Sequence, residues 1–372
     1  MNKKGESVFS PHQKKLAISF STMSETSKLQ RKIATFELIV RRRENMGTAW
    51  VATQTLKILR RCVKDSTSAE EIEKILPQVT KRLIASIPFT VVVANFCHRV
   101  LDLLDELIKQ SKNESQINQH DVRRSKSLSL LETFLSSTSV SESDQINSNA
   151  GTLRNNLLNG IDDLLMEVPN AYDDISSFSL DYIHYGDIIL TVGYSTSVFM
   201  FLKNAAKSRR FTVLVTEHAP FYDGIKMAER LRNEAKIECS VIPDSSVFVV
   251  MPRVTSVLSS CRAIFADGSF VTTSFVQSVA LAARHYAKPV IVLYWKCKLT
   301  DRFLKPNESF TILASPAKIA TPEENGVRNA TILTPDGEYV TVNAATLFIS
   351  EEGPHSPNDV FTHVQNLYRP ND

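Results

Sequence analysis

DIILTVGYSTSV, residues 187–198, decides the fold. Its first six residues lack the polar–apolar alternation of a half-buried strand, so the strand they imply is covered on both faces. Gly193 breaks the run, and Tyr-Ser-Thr-Ser leads into a helical segment. Similar runs recur at FTVLVTE (211–217), IECSVIP (237–243), RAIFADG (262–268) and PVIVLYW (289–295), starting roughly 25 residues apart with helical segments between them. With right-handed crossovers, this alternation specifies a doubly wound parallel sheet, Rossmann-like, over residues 181–372. Ligands of such sheets sit at the carboxyl ends of the strands. Those ends are GYSTS (193–197), EHAPFYDG (217–224), PDSS (243–246), ADGS (266–269) and WKCK (295–298).

Upstream, the period changes, and residues 1–180 read as a helical domain. KLQRKIATFELIVRRRENMG (28–47) places Leu29, Ile33, Phe36, Ile39 and Val40 on one helical face, with Gly47 as a stop and Thr48 opening the next helix. A third helix falls across SAEEIEKILPQVTKRLIASI, where Pro77 is expected to start a new segment. The most apolar helix lies in 88–110, and segments 151–168 and 170–185 complete the bundle. Polar stretches rich in Ser and Asn, near 111–127 and 136–151, read as solvated, mobile loops. The class is therefore α/β: an N-terminal helical domain followed by a Rossmann-like domain.

Composition narrows the function. With 372 residues, 43% of them hydrophobic, the chain can bury two cores. Its 43 Lys+Arg against 40 Asp+Glu give a net charge of +3, too even for direct nucleic-acid binding. No apolar span fits a membrane helix, and MNKKGESVFSPHQKK has no secretory apolar region. Five scattered cysteines form no CxxC pair, which argues against zinc and disulfides and for a reducing compartment. A soluble cytoplasmic protein without cofactor or metal is expected.

The strand ends offer three polar clusters. In GYSTS, hydroxyls at a helix N-terminus could hold a phosphate. Without GxGxxG or GxxxxGK[ST], capping by Ser195 or Thr196 is the favoured reading. In EHAPFYDG, Glu217, His218 and Asp223 could do acid–base work. No matching nucleophile is evident, so a wide loop shaped by Pro220 and Gly224 is favoured. In VIPDSSVFVVMPRVTSVL (241–258), Pro243 ends the strand and Asp244 or Ser245 caps the next helix, whose Val247, Phe248, Val250 and Met251 bury one face.

GYSTSVFMFLKNAAKSRRFTVLVTEHAPFYDG, VIPDSSVFVVMPRV, ALAARHYAKPVIVLYWKCKLT and the closing LYRPND together resemble the beta-subunit family of eukaryotic translation initiation factor 2B, over most of 151–372. The resemblance implies a Rossmann-like domain shared with ribose-1,5-bisphosphate and methylthioribose-1-phosphate isomerases. It further implies a non-catalytic regulatory subunit of a decameric guanine nucleotide exchange factor, with catalysis in the epsilon subunit. Implied partners are the delta, alpha, gamma and epsilon subunits and initiation factor 2, chiefly its alpha subunit, whose phosphorylation the assembly senses. Arg154, Asn155 and Asn156, leading a helix at 153–165, align with a family stretch that faces that substrate. Phe248 and Met251 in VFVVMPRV, with Tyr294 and Trp295 in VIVLYWKCKL, are the implied subunit interface.

The alternative is a sugar-phosphate isomerase. Those relatives need a cysteine and an aspartate, the latter in a GADR-like motif before Asn-Gly. Counting back from Gly268, Arg262 stands at the aspartate position, and a guanidinium stays protonated at any working pH. No cysteine lies between 98 and 238, and Cys261 is expected inside the start of a buried strand. Isomerase chemistry is not expected.

Overall fold

A computed structural model describes residues 29–40, 47–86, 90–125, 142–303, 312–320 and 330–368. The described residues form two compact units. One holds those before 45, between 51 and 88 and between 96 and 165; the other holds 45–50, 89–95 and those from 166 onward.

The helices are α1 (29–40), α2 (Thr48–Asp65), α3 (Ala69–Ser86), α4 (Val91–Ser125), α5 (Glu142–Ser177) and the short α6 (Ser179–Tyr182). Burial at Val51, Thr55, Leu56, Leu59, Cys62 and Val63 follows the three-to-four spacing that sets the inner face of α2. Ser68 and Glu71 cap α3. Pro77 lies inside α3 instead of starting a segment. Proline removes one backbone donor, but Ile72, Leu76, Val79 and Leu83 bury one face on both sides of it, and that packing keeps the helix continuous. Two further expectations are corrected. α4 runs on to Ser125 and α5 begins at Glu142, so much of the two stretches taken as loops is helical; Lys, Glu and Gln are good helix formers, and polarity alone does not mark a loop. Residues 126–141 lie outside the described residues. Consequently Arg154, Asn155 and Asn156 sit within α5, three turns past its start, and not in a first turn.

The second unit continues with β1 (Ile188–Val192), α7 (Thr196–Ala205), β2 (Thr212–Thr216), α8 (Asp223–Asn233), β3 (Glu238–Ile242), α9 (Val247–Val250), β4 (Ser256–Ser260), β5 (Ala263–Ile264), β6 (Phe270–Thr273), α10 (Val276–His285) and β7 (Val290–Leu293). It closes with β8 (Ile312–Leu313), β9 (Pro335–Val340), β10 (Leu347–Ser350), β11 (Gly353–His355) and α11 (Val360–Tyr368). A seven-stranded sheet runs β11-β10-β7-β4-β1-β2-β3, parallel except for β11. The order is doubly wound and reverses between β1 and β4.

The strand expected at RAIFADG is not in this sheet. Ser256–Ser260 takes the place beside β1, and RAIFADG gives only Ala263–Ile264 to a second, antiparallel sheet, β5-β6-β9-β8. Ser256, Val257, Leu258 and Ser259 are all buried. Serines fit a strand crowded on both faces, yet they hide it from a search for apolar runs. The main core packs Leu190, Val257, Val279, Val292 and Phe348 with Phe270 and Tyr294.

Leu157 on α5 is fully buried, whereas Asn155 is exposed. Leu157→Ala should cost about 2–5 kcal/mol, and Asn155→Ala less than about 0.5 kcal/mol. Urea unfolding followed by circular dichroism reads both.

Candidate functional site

The strand order reverses between β1 and β4, so the crevice at their carboxyl ends is where a doubly wound sheet places its ligand. Ser195 stands there in extended conformation, and its Oγ accepts from Val198 N–H at 3.3 Å, so it caps α7. The same hydroxyl donates to Ser260 Oγ at 2.8 Å, tying the ends of β1 and β4. The hydroxyl-rich turn is thus occupied by its own cap.

His218, at the end of β2, is the centre of the site. Its ring is buried, with Nδ1 2.8 Å from Asp223 Oδ1 and Nε2 3.0 Å from Ser274 Oγ. A carboxylate can only accept, so Nδ1 carries a proton toward Asp223, and Nε2 meets the Ser274 hydroxyl. The sequence brought His218 and Asp223 to attention but not Ser274, which is 56 positions away from His218 and has no motif around it. Asp244 is the second discovery. It does not cap a helix: its carboxylate accepts from the backbone N–H of His218 at 2.9 Å and of Ala219 at 2.8 Å, pinning the loop in place.

Two glycines make the arrangement possible. A Cβ on Gly193 would lie 2.7 Å from Asp223 Oδ1 and 3.0 Å from His218 Nδ1, and one on Gly224 would lie 1.8 Å from the Thr216 carbonyl oxygen. His218, Tyr222 and Phe275 all hold positive φ (58, 54 and 79°), a conformation that side-chain-bearing residues keep only when their surroundings enforce it. The loop contains the cis Ala219–Pro220 bond, and Gly224 permits its close approach to the end of β2.

Serine, histidine and aspartate in a row can activate a hydroxyl. Here the companion element is taken. Acyl transfer needs free donors for the developing oxyanion, but the N–H of Gln277 at the start of α10 donates to Glu338 at 2.5 Å. Glu338 is itself partly buried, and desolvation pushes its carboxyl up against the backbone N–H groups of Gln277, Phe275 and Val276. The trio locks β2, α8 and the β6–α10 turn together.

Arg262 is likewise committed. Its guanidinium forms a two-pronged pair with Asp336, at 2.7 and 3.2 Å. Cys261 lies just past β4, not inside a strand start, and burial pushes its thiol up to about 12 despite the opposing Lys298 ammonium. Lys298, also buried, donates to the Cys261 carbonyl at 2.8 Å. Neither a thiolate nucleophile nor a carboxylate acid–base stands at these positions.

The expected interface residues divide. Phe248 is half exposed and rests against His285 and Tyr286, with ring centroids 5.2 Å away. Met251, Tyr294 and Trp295 are buried in the chain's own core, and the Tyr294 hydroxyl meets His355 Nε2 at 3.0 Å. They are corrected to core residues on their burial, and the Tyr294 ring is covered by Phe348 on β10 and His355 on β11. Val250 is half-buried, so only Val247 and Met251 anchor α9. In the helical unit, the Arg154 guanidinium donates to the Lys64 carbonyl, while Asn155 and Asn156 are exposed.

The initiation factor 2 subunit family matches residues 44–357. The chain belongs to that family. It is similar to translation initiation factor eIF2B subunit beta of Schizosaccharomyces pombe, 36% identical over 219 residues that make up 58% of this chain and 56% of the relative. The chain thus matches little more than half the length of that relative. Crystal structures of eIF2B beta from Chaetomium thermophilum (TM-score 0.68, 22% identity, 94% of this chain and 96% of that one) and of its tetrameric beta2-delta2 complex (TM-score 0.67, 22% identity, 93% and 98%) share the fold. The family relation makes the satisfied crevice informative, because the same topology places a ligand there in any doubly wound member that binds one.

Glu351 adds a pH dependence. Burial pushes its carboxyl up to about 7, although the N–H of Lys296 donates to both oxygens at 3.0 and 3.1 Å. The folded state then retains a proton that the unfolded chain has released, so this group favours folding at low pH and that support is lost as pH rises from about 4.5 through about 7. Glu351→Gln should therefore melt above the parent protein at about pH 8, with the difference vanishing near pH 4.5, in a thermal-melt series.

Proposed function

We propose that this chain is a beta-type subunit of translation initiation factor 2B, acting as a non-catalytic regulatory scaffold in the cytoplasm. Its partners in this reading are the delta, alpha, gamma and epsilon subunits, with exchange carried out by epsilon. The assembly docks the alpha subunit of initiation factor 2 and senses its phosphorylation. The observation that carries the reading is the crevice between β1 and β4. Ser195 is spent on a cap, Arg262 on Asp336, and the Cys261 thiol is buried and protonated. The 36% identity to the fission-yeast beta subunit supports the same assignment.

The competing reading is a sugar-phosphate isomerase of the same fold. The purified chain should turn over neither methylthioribose-1-phosphate nor ribose-1,5-bisphosphate. Turnover abolished by Cys261→Ser would establish the isomerase instead.

Pairing with a delta-type chain is supported by an exposed apolar face. Phe248 is 50% exposed, Val249 77% and Leu281 56%; Leu281 lies one helical turn before His285, which Phe248 touches. Phe248→Glu should weaken association with a co-expressed delta-type partner by about tenfold and leave the melting temperature of the chain within a few degrees. Analytical ultracentrifugation of the mixed chains measures the first effect.

For substrate docking, Asn155 and Asn156 are the accessible members of the helical segment. Losing one hydrogen-bonding interface residue typically costs on the order of 1–2 kcal/mol. Asn156→Asp in the assembled complex should weaken binding of the alpha subunit of initiation factor 2 accordingly. Unchanged affinity and unchanged exchange rate would remove this residue from the contact.

A further inference from the structure

At the opposite end of the sheet, the amino ends of β1, β2 and β3 border a cleft of about 720 Å³. The volume lies within the range of small-ligand sites, roughly 300–1,000 Å³. Arg209, Arg210 and Lys236 line it against one carboxylate, Glu238. Tyr185 stands at its margin, 80% exposed. The turn carrying Tyr185 is fixed, because Gly186 N–H donates to the Arg210 carbonyl at 2.8 Å.

Solvated cations past helix ends often do no more than answer the helix dipole, but that effect fades within the last turn. Arg210 lies five positions beyond Ala205, where α7 ends, and Lys236 three beyond Asn233, where α8 ends. Neither has an acidic partner among the described residues. Lys236 also holds a φ of 57°, which glycine or asparagine adopts more readily after a helix. Arg209 donates to the Ile183 carbonyl, so its guanidinium is oriented without being neutralised.

We infer that this cleft binds a nucleoside polyphosphate, with Arg210, Lys236 and Arg209 facing the phosphates and Tyr185 stacking on the base. Guanidinium and ammonium groups recognise phosphate by charge-assisted hydrogen bonds, and an exposed aromatic ring offers a face that any base can stack on. The site is separate from the β1–β4 crevice, and its existence does not depend on the scaffold reading.

Isothermal titration of the purified chain with ATP, tripolyphosphate and adenosine, each tested alone, decides the matter. ATP and tripolyphosphate should bind saturably with dissociation constants below roughly 1 mM, and Arg210→Glu with Lys236→Glu should weaken both at least about tenfold. Tyr185→Ala should weaken ATP alone. All three substituted residues are exposed, and circular dichroism checks that the variants fold. Absence of saturable ATP binding, or binding indifferent to the double charge reversal, would overturn the site. Unchanged ATP affinity in Tyr185→Ala, or an equal loss of ATP and tripolyphosphate, would overturn the nucleoside polyphosphate assignment.

Discussion

The second unit is organised around a buried imidazole. His218 is held by a carboxylate on one nitrogen and a hydroxyl on the other, while the backbone at its own N–H is held by Asp244. These bonds fix the end of β2 to the starts of α8 and α10 and to the end of β3. An unpaired polar group in such a place costs about 1–3 kcal/mol, so each partner depends on the others being present. The packing depends on it too: Gly193 and Gly224 are needed because the ring, the Asp223 carboxylate and the Thr216 carbonyl fill the space that a Cβ would take.

What the sequence revealed follows from what leaves a periodic trace. β1 and β7 show as near-continuous apolar runs, because strands covered on both faces have no polar side, whereas β3 is a solvent-facing edge strand that still carries enough apolar residues to be read. The Ser195 cap was legible for the same local reason: a hydroxyl before a helical run has a nearby donor to satisfy. β4 was missed because three of the five residues of SVLSS are serine, which a crowded centre accepts as well as valine. Asp244 was misread because a cap is decided within three residues, whereas its true partners at 218 and 219 lie across the sheet edge. Tyr294 fails as an interface residue on similar grounds, since His355 on β11, which covers it, comes 61 positions later. Long-range partners of polar groups have no sequence period.

Charge placement explains why Arg262 and Cys261 are held where they are. A carboxylate at position 262 would face Asp336 across the 2.7 Å now spanned by a charge-assisted bond, so the arginine and its partner exist as a pair. The neighbouring strand end is treated alike. Lys298 gives its buried ammonium to the Cys261 carbonyl, and its charge favours the thiolate by less than burial disfavours it. Removing either Arg262 or Asp336 would leave its partner's charge without the other, so the two are bound to each other.

A crevice cross-linked in this way is stiff. Catalytic sites of this topology need room for a substrate and segments that open for it, and such segments come from the least stable parts of a fold. Here the segments that would have to open are those tied by Ser195 to Ser260, His218 to Ser274, and Glu338 to the start of α10. The free apolar surface lies instead on α9 and α10, where Phe248, Val249 and Leu281 face outward from helices whose inner sides are anchored by Met251 and Val279. Rigidity at the strand ends and exposure one layer outward have a common result. α10 is held at its first turn by Glu338 and along its length by the core, so its outer face presents a fixed shape, and a fixed shape lowers the ordering cost that a partner must offset on docking. The network that ties the strand ends together is therefore the same network that fixes the outer face of α10.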